Sequence, residues 1–107
     1  MGSSLEGPTC TSVVNKLTLG KPIDDALLRA LETEFCPQVR DRPGFVDVHL
    51  VVVSETEAIV VGLYATREAM DDISRNVAAP WFAQHVRPYL AGPVQRSTGE
   101  VVASTRK

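Results

Sequence analysis

Few residues in this chain are of a type and spacing that suit chemistry. Asn15 is one. The stretch Thr11 to Leu19, TSVVNKLTL, alternates as a strand, so Val13, Asn15, Leu17 and Leu19 share a face. A buried amide must find partners or lose roughly 1–3 kcal/mol. Asn15 therefore either bonds a helix end or a loop carbonyl, or points into a cavity and polarises a ligand oxygen. The second group lies in APWFAQHVRPYL, residues 79–90, where Trp81, His85 and Tyr89 recur every four residues. On a helix that spacing stacks them on one face. Trp81 suits a flat wall against a planar ligand, or packing. An imidazole titrates near neutrality, so His85 suits a general acid or base, or a half-exposed histidine bonded to a backbone carbonyl. Tyr89 could donate a hydrogen bond to a ligand oxygen or cap a cavity mouth. Tyr64, at the end of a strand, is an aromatic wall or a core residue.

The bulk properties exclude several classes. The 107 residues suit one domain, and 44% hydrophobic with 22% charged is a globular balance. Net charge is -2, and Lys and Arg are interleaved with Asp and Glu, so there is no footprint for nucleic acid or an anionic membrane. No apolar run approaches the ~18 residues of a membrane span. Residues 1–10 read as a loose tail with no signal-peptide pattern, and 11–107 as a single domain. Cys10 and Cys36 show neither metal-ligand spacing nor a disulfide framework, which fits a reducing cytoplasm. No metal cluster, carboxylate pair, nucleophile elbow or phosphate loop appears.

The elements that must hold these residues follow from periodicity. After the first strand, Gly20-Lys-Pro22 breaks the chain. Ile23, Leu27, Ala30, Leu31 and Phe35 then form a helical stripe, with Asp24 and Asp25 in its first turn. Pro37 predicts a kink or an end near Cys36, with helical signal as far as Arg42. Phe45–Val53 and Ala58–Ala65 are strong strands joined by a polar turn, hence a hairpin. Thr66 suits the cap of a helix buried through Ala69, Met70, Ile73 and Val77. Pro80 predicts a break and a second short helix. Val94–Ala103 is a last strand, with Gly99 as a bulge or twist point.

The order β-α-β-β-α-β is the ferredoxin-like plan of an α+β protein, a four-stranded antiparallel sheet with its helices on one face. On the second strand, alternation separates Val46, Val48, Leu50 and Val52 from Phe45, Asp47, His49, Val51 and Val53. Both sets are largely apolar, so both sheet faces should be covered. A second copy of the chain is the simplest cover, which predicts a two-fold homodimer through the sheet faces. Asp47 and His49 fall on the face toward the partner and can bond each other there.

Several of these features together resemble a known family. They are Pro43-Gly44-Phe45 opening the second strand, the hydrophobic hairpin, Leu63-Tyr64-Ala65-Thr66-Arg67-Glu68-Ala69 leading into a helix, and the late Phe82-x-x-His85. Residues 11 to 103 resemble the antibiotic-biosynthesis-monooxygenase-like dimeric α+β barrels. That resemblance implies a cofactor-free monooxygenase acting with O₂ on a small aromatic or polyketide-like substrate. In it His85 is the base, Asn15 a hydrogen-bond donor, and Trp81, Tyr64 and Tyr89 are substrate-binding walls. Taking a phenolic proton makes an electron-rich ring that can pass an electron to O₂. The resemblance also implies two alternatives. One is a non-catalytic small-molecule-binding or stress-related barrel. The other is a haem-binding or haem-degrading monooxygenase, whose Asn, Trp and His types recur here in order, with the Trp and His closer together.

Overall fold

The computed structural model describes residues 10–103. The expected tail lies outside the described residues except for Cys10, whose carbonyl accepts from the Val101 N–H at 2.8 Å. Four strands, β1 (Thr11–Thr18), β2 (Phe45–Ser54), β3 (Glu57–Tyr64) and β4 (Gln95–Glu100), form one antiparallel sheet in the order β2-β3-β1-β4. That is the ferredoxin-like arrangement expected from the element order.

Two helical rods pack on the sheet. The first is α1 (Asp25–Ala30), a π-turn (Leu31–Phe35) and α2 (Cys36–Arg40). The second is α3 (Arg67–Ile73), a π-turn (Ser74–Ala78) and α4 (Ala79–His85), followed by a 3₁₀ turn at Arg87–Tyr89. Asp24 caps the first rod by accepting from the Leu27 N–H, and Thr66 caps the second through the Ala69 N–H, both at 3.0 Å.

Neither Pro37 nor Pro80 ends its rod: helix continues to Arg40 in the first, and the expected second short helix starts at Ala79 in the second, each after a π-turn. In both rods the residue just before the proline donates five residues back, Cys36 to Leu31 and Ala79 to Ser74. A proline lacks the N–H for the usual bond, and its ring crowds the carbonyl four residues back. One wide turn relieves both problems, so each rod continues through its proline.

The core lies between rods and sheet. Val13, Leu17, Ala58, Val60 and Tyr64 from the sheet meet Leu27, Phe35, Met70, Ile73 and Trp81 from the rods. The alternation along β3 is strict: Ala58, Val60, Gly62 and Tyr64 are buried, and Ile59, Val61 and Leu63 are half-buried on the other face. On β1 the half-buried Val14 sits opposite Val61. The second face is thus apolar along β3 and at Val14, with Asp47 and His49 of β2 beside Leu63 and Val61.

β2 departs from simple alternation. Its pairing with β3 shifts between Phe45 and Asp47 and again between Val52 and Ser54, leaving Val46 and Val53 as the extra residues. The first bulge moves Phe45 onto the face of Val48 and Leu50, where its ring meets Tyr64 edge to face at 6.2 Å. β4 is shorter than expected. Gly99 pairs with Ser12 in an unshifted ladder, so it makes no bulge there.

Candidate functional site

A cavity of about 340 Å³ opens between the sheet and the second rod. The sheet builds its floor. Val13 and Asn15 come from β1, Val60, Gly62 and Tyr64 from β3, Val48 from β2 and Arg96 from β4. Ser74, Ala78 and Phe82, spaced four apart, make the roof, and Phe35 of the first rod closes one side. The two alanines matter: small side chains keep the rod's floor-facing stripe from filling the space, Ala78 in line with Ser74 and Phe82 and Ala79 beside it.

Two polar groups meet on the floor. Asn15 pairs in register with Arg96 across the β1–β4 ladder, so the amide and the guanidinium stem from adjacent positions. Among the described residues neither side chain has a hydrogen-bond or ion-pair partner. Asn15 therefore does not bond a helix end or loop carbonyl; it lines the cavity.

Tyr64 is the third polar group. Its ring lies back over Gly62, whose missing side chain makes the room: a Cβ there would come within 2.9 Å of the Tyr64 hydroxyl. Burial pushes the Tyr64 phenol above its ordinary 10.0, and the nearby Arg96 cation opposes that shift. At neutral pH Tyr64 is a donor, not a base.

His85, Trp81 and Tyr89 do not join them. Trp81 is buried in an aromatic cluster, 5.3 Å from Phe35 and 6.0 Å from Phe82 between ring centroids. Its indole nitrogen is buried with no partner among the described residues. The His85 ring stacks on Trp81 at 4.3 Å and 24°, and its Nε2 lies 3.4 Å from Glu34 of the first rod, an ion pair when the imidazole is protonated. The expectation that His85 reaches a concavity shared with Trp81 and Asn15 is therefore corrected. The reason is helical phase: Phe82, one position on from Trp81, faces the cavity, and the Trp81–His85 edge turns toward the first rod. Tyr89 leaves the stripe because the helix ends at His85 and a 3₁₀ turn follows. Its hydroxyl donates to Asp24 Oδ1 at 2.6 Å, and Lys21 lies over its ring at 4.6 Å. That bond draws the Asp24 carboxyl below its ordinary 3.8 and raises the Tyr89 phenol.

On the opposite sheet face, His49 Nε2 and Asp47 Oδ2 lie 3.1 Å apart, the pairing expected from their spacing. Among the described residues no group of three or more His, Cys, Asp or Glu is placed to hold a metal. The 340 Å³ cavity is lined by no imidazole, thiol or thioether, and Tyr64 is the lining side chain whose type can ligate haem iron.

Sequence reasoning missed Arg96 and Phe35 as lining groups. A signal for Arg96 existed, because Val94 and Arg96 alternate onto one face of the last segment, and both line the cavity. Only the β1–β4 register reveals that this face adjoins Asn15.

No protein-family model and no curated protein matches the chain. Solved structures do. A protein of unknown function from Nitrosomonas europaea aligns over 94% of this chain and 96% of its own, with a TM-score of 0.74 at 15% identity. A monooxygenase from the gene ActVA-Orf6 of Streptomyces coelicolor, in complex with nanaomycin D, aligns over 94% of both chains with a TM-score of 0.74 at 12% identity. SnoaB, a cofactor-independent oxygenase from Streptomyces nogalater, aligns over 91% of this chain and 95% of its own, with a TM-score of 0.62 at 14% identity. The chain thus has the ferredoxin-like α+β fold of the antibiotic-biosynthesis-monooxygenase-like proteins. That fold hosts oxygenases as well as proteins of unknown function.

Proposed function

We propose that the protein is a cofactor-independent monooxygenase of a small hydroxylated aromatic or polyketide-like molecule, bound in the cavity over Asn15 and Arg96. The observation that carries this is the Asn15–Arg96 pair, without hydrogen-bond or ion-pair partners among the described residues, at the floor of a mainly apolar space that suits a flat ring. A phenolic oxygen seated there meets an amide donor and a cation. Both favour the phenolate, as an adjacent positive charge lowers any acid's pKa. The proton leaves to water on the open side. The electron-rich ring then reduces O₂ by one electron, and the two radicals combine at ring carbon. Loss of water from the adduct leaves a quinone. One oxygen atom stays on the ring and the other departs as water, so phenol and O₂ balance quinone and H₂O. Tyr64 donates to the second substrate oxygen, and Phe35 and Phe82 wall the ring.

His85 has no part in this version, since it lies behind the aromatic cluster. We further propose that the molecule acts as a homodimer through the second sheet face, in the cytoplasm. The described helices include none long and apolar enough to cross a membrane.

A second reading, binding without turnover, is favoured by one specific observation: the cavity's polar groups, Asn15, Tyr64, Ser74 and Arg96, include no base at neutral pH. Oxygen uptake with dihydroxynaphthalenes separates the two. Oxygenase activity predicts uptake well above the uncatalysed rate, with one ¹⁸O from ¹⁸O₂ in the product. Asn15→Leu and Arg96→Leu should stay folded and each lose about tenfold or more in kcat/KM. Tight binding with background uptake establishes the binder and removes the oxygenase.

A further inference from the structure

The cavity has a neighbour. A second space of about 90 Å³ lies between the first rod and the sheet. Phe35, Val48, Val60 and Phe82 wall both spaces. The remaining lining is aliphatic, including Leu27 and Leu31, apart from the thiol of Cys36. Phe35 and Phe82 meet edge to face at 5.7 Å between the two spaces, and Phe82 is half-buried.

We propose that the smaller space is a subsite for an apolar arm of the bound molecule, a chain of about three or four carbons. This deepens the functional reading above and rests on it: the oxygenated ring lies over Asn15 and Arg96, and the arm passes between Phe35 and Phe82. Size sets the arm's length. An apolar cavity of about 150 Å³ takes a benzene ring, and scaling by volume leaves room for roughly half as many carbons. Lining chemistry sets its nature. The walls offer a hydroxyl or amide no partner better than a thiol, and a polar group buried without a partner is penalised. The shared walls set its attachment, because the two spaces adjoin across Phe35, Val48, Val60 and Phe82, and the arm enters where the Phe35–Phe82 contact parts.

The test is a chain-length series. Calorimetric affinities are measured for 1-naphthol and its 2-alkyl homologues from methyl to hexyl. Affinity should rise about fourfold per methylene through three or four carbons and then stop. Leu31→Trp, which fills the space, should flatten the rise and leave 1-naphthol itself within twofold of the parent protein. A flat series in the parent protein overturns the subsite. So does a rise that survives Leu31→Trp, since the chain then lies elsewhere. Xenon under pressure, followed by diffraction, probes the space with no arene present: xenon between Leu31 and Phe82 supports an accessible apolar site, and its absence there overturns it. A chain-length effect without oxygen uptake defeats the oxygenase reading alone.

Discussion

At the scale of single residues, the decisive contrast is between Asn15 and His85. Both are of a type that suits chemistry. Only Asn15 ends in the cavity, and His85 spends its ring on Trp81 and Glu34. His85→Ala should therefore leave oxygen uptake or ligand affinity within about twofold. The lost stacking should lower stability by roughly 0.5–1.5 kcal/mol, read from denaturant titration. A loss of activity without a loss of stability would return His85 to the site. The Tyr89–Asp24 bond makes a different prediction, in pH. Asp24 is held below its ordinary 3.8, first by the Tyr89 hydroxyl and then by the Leu27 N–H. A carboxyl depressed in the folded state stabilises above its ordinary value, and that contribution drains away as pH falls through the lowered one. Melting temperatures from pH 5 down to pH 2 should fall more steeply for the parent protein than for Tyr89→Phe. The legibility of these residues differed for physical reasons. Asn15 could be read because a strand's two-residue period is rigid and one amide among valines and leucines stands out. Trp81, His85 and Tyr89 could not, because a one-residue difference in helical phase turns a side chain by about 100°. One π-turn, at Ser74–Ala78, and the 3₁₀ turn at Arg87–Tyr89 set that phase here.

At the scale of elements, strand and helix order was legible almost throughout, because β-branched runs, capping residues and Gly-Pro breaks agree with one another. The prolines were legible only in part. Pro37 predicts a kink or an end and Pro80 a break before a second short helix; helix does follow each, and the rods widen by one residue just before them. No local pattern distinguishes an ended helix from one with a wide turn; packing of Phe35, Val39, Val77 and Trp81 into one core favours continuation. The bulge at Val46 was equally hidden, since it appears only as a mismatch between β2 and β3. The turn feeding β2 depends on Gly44, whose φ is +83° and where a Cβ would collide with Ala69 of α3. Gly44→Ala should cost roughly 1–3 kcal/mol from backbone strain, with more from the collision. Thermal and urea unfolding should show this. Ligand affinity measured well below the transition should be unchanged, because Gly44 does not line the cavity.

At the scale of the whole molecule, the two-sided apolar sheet is the main unsatisfied feature. Ile59, Val61 and Leu63 stand half-buried on the second face, beside Val51 at 46% exposure. Interfaces between stable partners bury about 800 Å² on each, a scale suited to a sheet face. Light scattering at micromolar concentration should report twice 11.6 kDa, and Val61→Lys should shift it to the monomer. A folded monomer of the parent protein would remove the homodimer. On the outer strand of that sheet, Val51, Val52 and Val53 are each about half exposed, and Val53 lies at the second β2 bulge. Such an edge is sticky toward other chains. If pairing covers it, only dissociated protomers can clump through it. Their number grows as the square root of total protein while dimers dominate. Encounters between two of them then grow in direct proportion to total protein, not as its square. Turbidity kinetics of the parent protein should be first order in concentration, and those of Val61→Lys second order.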